Sequence, residues 1–417
     1  MDVLVRKYGG SSLASISDVR RVAGSIAEAA QAGCQPVIVV SARGECTDDL
    51  LYQAQQAGSA LPTRETDQLL ATGEIASAAL LSIALRGLGV DAISLTAAQA
   101  GIRATGRHGA GVICDIDSAA IRRHLELGRV TVIAGFQGIT ADGEILTLGR
   151  GGSDTTAIAL TGELGAGRCE IYTDVAGVHT ADPRLIPNAR VLPTIRCDVM
   201  AEMAFAGAKV LHARAVELAA MQAVPISVRS SFIDASGTDI AEWEADQVLE
   251  TRGAVIAIAH DFDVARVLVQ CQPGLRDMAV DILQLLADHS VPADLVARSG
   301  PQEDEFRMGF TIRRSDLDIV REPLRRTAEA LQGQVRIDER VGKVSLIGVG
   351  LLNRPDCTAQ MLAALRDAGI ETSWITTSQM RASAVIALDR LLPAVALLHE
   401  VFELAKPALQ PEESWSR

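Results

Sequence analysis

Up to about residue 248 the chain repeats one unit: an apolar strand stops at a polar loop, and a helix follows. Asp2–Tyr8 runs into Gly9-Gly10-Ser11-Ser12, Pro36–Val40 into Ser41–Leu50, and Ala92–Leu95 into Thr96–Ile102. Val130–Gly138 reads as one strand with a glycine exit, Glu144–Leu148 enters Gly149–Thr156, Cys169–Tyr172 enters Thr173–Arg184, and Pro225–Arg229 is the last strand. Continuous apolar runs such as Pro36-Val37-Ile38-Val39-Val40 suit parallel strands buried on both faces. The alternation predicts an α/β fold, a mostly parallel sheet with helices on both faces. Ligands of such sheets bind beyond the carboxyl ends of the strands, which makes the polar loops the candidate site.

The richest loop is Leu148-Gly149-Arg150-Gly151-Gly152-Ser153-Asp154-Thr155-Thr156, followed at once by the apolar run Ala157–Leu160. It reads as strand, glycine turn and helix start. Glycines allow close backbone approach to a ligand, a helix N-terminus attracts anions, and the Arg150 fork suits a carboxylate or phosphate. Ser153, Asp154 and Thr155 fit plain N-cap positions equally well. Only four of the 39 basic residues are lysine: Lys7, Lys209, Lys343 and Lys406. Lys7 stands at a strand end beside a glycine turn, where a compact ammonium acts as a point charge on a phosphate. Lys343 and Lys406 are read as chance. No GxxxxGK[ST] loop is present. Glu74 reads as a first-turn acid favoured by the helix dipole.

The formal charge of −13 argues against nucleic-acid binding, which needs a basic face. Seven scattered cysteines without a CxxC pair suit a reducing compartment. The first strand begins at Asp2 or Val3, leaving no room for a signal peptide, and Arg86 and Asp91 interrupt the apolar stretch between Leu80 and Ile102. A cytoplasmic protein without a membrane span is expected.

Beyond an acidic linker at 241–252 the pattern changes. Val264–Gln270, Gly274–His289, Ala293–Arg298, Phe306–Arg313, Leu317–Leu331 and Val335–Arg340 read as βαββαβ. Lys343–Val349, Thr358–Ala368, Thr372–Thr376, Ser383–Leu388 and Leu391–Phe402 repeat it without the last strand, which Gly253–Ile258 is expected to supply. Two such units beside a catalytic domain suggest paired ligand-sensing modules. The expected domains are 1–248, 249–340 and 341–417, with 253–258 completing the last.

Seven motifs in order, Lys7–Ser12, Ser41–Leu50, Thr72-Gly73-Glu74, Gln99–Ile102, Gly149–Thr156, Tyr172–Arg184 and Gly207–His212, resemble aspartate kinase. The C-terminal repeats resemble its two ferredoxin-like ACT domains, and the chain is similar to the monofunctional type. The resemblance implies an amino-acid-kinase fold and phosphoryl transfer from ATP to L-aspartate, giving 4-phospho-L-aspartate on the route to lysine, threonine and methionine. A carboxylate nucleophile with a free pKa of about 4 is already ionised at neutral pH, so charge neutralisation and alignment matter rather than a base.

In that resemblance Lys7, Glu74, Arg150 and Asp154 are the catalytic set. Ser41, Thr47, Glu74, Arg150, Ser153 and Asp154 hold aspartate. Lys7, Gly9, Gly10, Thr173, Asp174, Thr180, Arg184 and Lys209 hold the nucleotide, with Mg²⁺ between its β- and γ-phosphates and no metal ligand assigned in the protein. A homo-oligomer, an amino-acid effector at the ACT domains and an ACT-only second subunit are the implied partners. The chain departs from the family at Arg43, Glu45, Cys46, Ala97, Ala176 and His179. Arg298-Ser299 and Arg307 replace an effector-binding Gln-Asn pair and an aspartate, which predicts weakened or altered feedback by lysine and threonine. The competing readings are a kinase for another amino acid or an aspartate analogue, and a non-catalytic ACT sensor.

Overall fold

The computed structural model describes residues 3–58, 63–241, 255–271, 278–298, 306–330 and 332–406. They form two compact units: Met1–His179, Val191–Phe205 and Lys209–Val248 in one, Thr180–Arg190, Ala206–Ala208 and Leu249–Arg417 in the other. Of the stretch read as a linker, 242–252 lies outside the described residues, and Ala241 ends a strand.

The first unit has strands β1 (Val3–Tyr8), β2 (Gln35–Val40), β3 (Ala92–Leu95), β4 (Ile102–Arg107), β5 (Ala110–Ile116), β6 (Val130–Ala134), β7 (Gln137–Ile139), β8 (Ile145–Thr147), β9 (Cys169–Thr173), β10 (Thr194–Arg196), β11 (Ile226–Ser230) and β12 (Thr238–Ala241). Its helices are α1 (Ile16–Gln31), α2 (Cys46–Ala57), α3 (Arg64–Gly87), α4 (Ala119–Glu126), α5 (Gly152–Leu164), α6 (Cys197–Phe205) and α7 (Ala213–Met221). The main sheet runs β10-β12-β11-β9-β1-β2-β6-β3. Every pair is parallel except β11 with β12.

Local chemistry starts and seats the helices. Ser15 and Asp18 form a reciprocal capping box at α1, whose Val19, Val22, Ala23 and Ile26 fall on one buried face. The Thr63 hydroxyl accepts the Thr66 N–H at the start of α3. By length and composition α3 is apolar enough to cross a bilayer, yet its Ala78, Leu81 and Leu85 pack with α1 and the sheet in the core. α5 is buried at every position from Gly152 to Thr161, as a helix without a polar face must be.

A second sheet, β5-β4-β7-β8, is absent from the sequence reading. Val130–Gly138 is two strands, not one. Gly135 donates its N–H to Val40 O, Phe136 turns the chain at φ 67°, and β7 leaves for the second sheet.

The second unit contains β13 (Val255–Cys271), α8 (Met278–Asp288), β14 (Asp294–Arg298), β15 (Phe306–Ile312), α9 (Leu317–Ala330), β16 (Gln334–Gly348), α10 (Pro355–Asp367), β17 (Thr372–Thr377), β18 (Arg381–Ala387) and α11 (Leu391–Val401). One antiparallel sheet runs β14-β15-β13-β16-β18-β17. Runs read as separate strands are continuous: β16 covers both Val335–Arg340 and Lys343–Gly348. Gly342 permits this at the join, because a Cβ there would lie 2.6 Å from Leu391 Cδ2. Val255–Asp261 pairs with Lys343–Gly348, while Val264–Gln270 pairs with Gln334–Val341. Each half has its own apolar core.

Candidate active site

The site forms where β1, β2 and β6 end and α5 begins. Lys7 is the penultimate residue of β1, in register with Val39 of β2 and Ile171 of β9. Its Nζ lies 2.6 Å from Asp154 Oδ1 in the first turn of α5, and both side chains are mostly buried. The following loops are laced together: Ser41 N–H donates to Tyr8 O at 3.1 Å, and Gly44 N–H to Gly10 O at 2.9 Å. A Cβ on Gly10 would lie 2.6 Å from Ala42 O, so only glycine permits this approach. Gly9 differs from its expected role. Its N–H is already donated to Tyr172 O at 3.2 Å, so what it contributes is space, with the Lys7 ammonium 3.6 Å from where its Cβ would be.

Glu74 lies near the middle of α3, on its buried face rather than in a first turn, and is 3% exposed. Its Oε1 accepts the Ala42 N–H at 2.9 Å, and its Oε2 is buried without a hydrogen-bond partner. Burial pushes this carboxyl up to about 7 despite the Ala42 hydrogen bond. Gly73 allows the helix in, since a Cβ there would meet Ala42 Cβ at 2.8 Å. A carboxylate with one oxygen anchored and the other desolvated is suited to receive an ammonium.

Arg150 sits between Gly149 at φ 73° and Gly151 at φ 70°, both left-handed, and its side chain is exposed. A Cβ on Gly151 would lie 2.2 Å from His212 Cβ. Ser153 faces the β6 exit, its Oγ 2.8 Å from where a Cβ on Gly135 would be. Thr47 is in the first turn of α2, directly after the loop tied to Gly10. Cys46 opens that helix, its Sγ 3.5 Å from the Gly73 Cβ position, and the six described cysteine side chains are all free thiols.

Thr173 ends β9 and its hydroxyl donates to Asp174 at 3.0 Å. Lys209 is exposed in the turn between α6 and α7. Thr180 and Arg184, read as nucleotide contacts, lie in Thr180–Arg190, which belongs to the other unit. There Thr180 is 0% exposed, with its hydroxyl 2.9 Å from His399 Nε2, and Arg184 pairs with Asp182 at 2.9 Å. Thr180 therefore presents no free hydroxyl. Lys343, read as chance, is buried against Asp294 at 2.7 Å within the second unit.

Sequence reasoning missed three polar residues around the Arg150 loop: Asp67, His108 and Arg214. Signals for the hairpin that carries His108 existed. Ile102-Arg103-Ala104-Thr105 alternates, and His108-Gly109 follows as a turn, with Gly109 at φ 76°.

An open, mostly parallel sheet with a lysine–aspartate pair at its strand ends and a glycine-flanked arginine leading into a buried helix has the architecture of the amino-acid-kinase class. Residues 2–230 match the Amino acid kinase family, and 344–402 match an ACT domain. The chain is 43% identical over 408 residues to an aspartokinase of Mycolicibacterium smegmatis, covering 97% of each, and 41% identical to one from Geobacillus stearothermophilus, covering 98% of this chain and 99% of that one. A crystal structure of aspartate kinase from Synechocystis is 36% identical, with a TM-score of 0.54 over 98% of this chain and 71% of that one. The fold matches E. coli aspartokinase III, solved with aspartate and ADP, at a TM-score of 0.79 and 24% identity over 96% of this chain and 99% of that one. The chain belongs to the aspartokinases of the amino acid kinase family, ATP-dependent enzymes that phosphorylate aspartate.

Proposed function

We propose that the β1, β2, β6 and α5 strand-end site carries this reaction by charge neutralisation, without a general base. The supporting observations are the Lys7–Asp154 ion pair and the buried Glu74 with one unbonded oxygen. The side-chain carboxylate of aspartate attacks the γ-phosphorus. A P–O bond forms to that carboxylate, the bond to the β–γ bridging oxygen breaks, and ADP leaves with the electron pair; no proton moves. Lys7 neutralises the transferring phosphoryl, helped by the α5 N-terminus. Asp154 orients Lys7. Glu74 Oε2 receives the substrate ammonium and Arg150 clamps a carboxylate, with hydroxyls from Ser41, Thr47 and Ser153. Thr173, Asp174 and Lys209 serve the nucleotide, and Gly10 brings backbone close to its phosphates.

Among the described residues no three His, Cys, Asp or Glu side chains group as a metal cage. We assign Mg²⁺ no protein ligand; it would arrive on the nucleotide phosphates, where it would offset their charge.

Hydroxamate formation tests the reading: aspartate with ATP and Mg²⁺ should give product and glutamate should not. Equal turnover of glutamate, or a Lys7→Ala variant as active as the parent, would overturn it. For regulation, Arg298 and Arg307 lie on the paired strands β14 and β15, and their charge disfavours an effector ammonium. Feedback by lysine and threonine is therefore weakened or altered. Strong inhibition by sub-millimolar lysine or threonine, alone or together, would refute this. The ACT modules pair copies into at least a dimer, which sedimentation would test, and the enzyme works in the cytoplasm.

A further inference from the structure

A clamp built on Leu148-Gly149-Arg150-Gly151 has no stiffness of its own, since glycine adopts either sign of φ at little cost. A binding group nevertheless needs to be held within about 0.5 Å of its working position. The first unit holds this loop from two sides with residues the chemistry does not use.

On one side stands Asp67, in the first turn of α3 and 0% exposed. Its carboxylate accepts from Thr147 N at 2.9 Å, Thr147 Oγ1 at 2.6 Å, Gly109 N at 3.1 and 3.2 Å, and His108 Nδ1 at 2.9 Å. One side chain thus ties the last residue of β8 to the β4–β5 hairpin turn. On the other side, Arg214 in the first turn of α7 donates to Leu148 O at 2.7 Å and Gly111 O at 2.8 Å. The same two segments, β8 with its exit and the hairpin, are joined again. The hairpin turn also abuts the loop directly, because a Cβ on Gly149 would lie 2.8 Å from Gly109 O.

We infer that Asp67 and Arg214 are positioning residues for substrate capture: they fix the backbone from which Arg150 departs, and so set the affinity for aspartate rather than for ATP. This rests on the reading of Arg150 as the aspartate clamp. A planar guanidinium suits the task because it spans two carbonyls in fixed geometry, which an ammonium cannot do. A buried carboxylate with donors on both oxygens is equally hard to replace, since an amide in its place turns one acceptor into a donor facing N–H groups.

The test measures KM for aspartate, KM for ATP and kcat in Arg214→Met, Arg214→Lys, Asp67→Asn and Arg150→Ala, and in the Arg150→Ala/Arg214→Met double variant. Arg214→Met should raise KM for aspartate about tenfold and leave KM for ATP within about twofold, with Arg214→Lys recovering part of the loss. In the Arg150→Ala background, Arg214→Met should change KM for aspartate by less than about twofold, because the clamp it positions is gone. Equal effects on both substrates, no effect, or a full effect without Arg150 would overturn the inference and leave the clamp standing. An Arg150→Ala enzyme with unchanged KM for aspartate would overturn the clamp itself and this inference with it. If Arg214→Met does not fold, Arg214→Lys alone and in the Arg150→Ala background gives the same comparison.

Discussion

The ammonium of Lys7 and the carboxylate of Asp154 meet at 2.6 Å, joining the end of the central strand to the first turn of the buried helix α5. The pair fixes a point charge above the sheet, where a phosphoryl group in flight would gather negative charge. Removing it should act on the chemical step. Lys7→Met is expected to lower kcat by roughly 10²–10³-fold while KM for aspartate changes little. Steady-state kinetics with a coupled ADP assay reads this, and a variant impaired only in KM would contradict it.

Glu74 predicts a pH profile. Its carboxyl is held up at about 7 by burial, with the Ala42 hydrogen bond opposing. Only the ionised form attracts an ammonium, so kcat/KM for aspartate should fall about tenfold per pH unit below that value. Glu74→Gln should abolish the limb, lowering affinity above pH 7 and converging with the parent in acid.

The same shift has a stability consequence of opposite sense. A carboxyl whose folded value lies above the ordinary 4.5 is favoured neutral in the native state, so stability is highest below 4.5 and declines as pH rises to about 7. Glu74→Gln should therefore stabilise the protein above pH 7, by on the order of 3 kcal/mol at most, and give no gain below 4.5. Chemical denaturation at pH 4 and pH 8 separates these outcomes.

Gly151 allows one residue only. With φ 70° and a Cβ position 2.2 Å from His212 Cβ, Gly151→Ala is both strained and blocked. A loss of at least about 1–3 kcal/mol is expected, or a displaced loop with aspartate affinity impaired, measurable by denaturation and by KM.

In the second unit, burial would raise the Asp294 carboxyl, but Lys343 at 2.7 Å and Arg381 at 2.9 Å hold it down at about 2. A depressed value contributes stability above the unfolded pKa near 4 that is lost as pH falls toward 2. Asp294→Asn should cost about 3–5 kcal/mol at neutral pH, because Lys343 is left buried without its counter-ion. Melting curves of both proteins should converge in acid.

The sequence by itself determined the alternating sheet, the glycine loops at its strand ends and the doubled βαββαβ pattern. Each is written in local chemistry: apolar runs, capping residues and turns such as Gly149-Arg150-Gly151. Lys7 and Asp154 were legible because they sit at a strand end and a helix start beside those glycines, whereas Glu74, read as a first-turn acid, lies mid-helix. Tertiary structure alone decided the rest. Whether Asp67 faces water or core depends on how α3 is rotated against β8. Whether Thr180 offers its hydroxyl depends on His399, 219 residues away. Lys343 read as incidental until β14 and β18 brought Asp294 and Arg381 around it. In each case the deciding partner is remote along the chain, and periodicity reports a residue's own element, not what is folded against it.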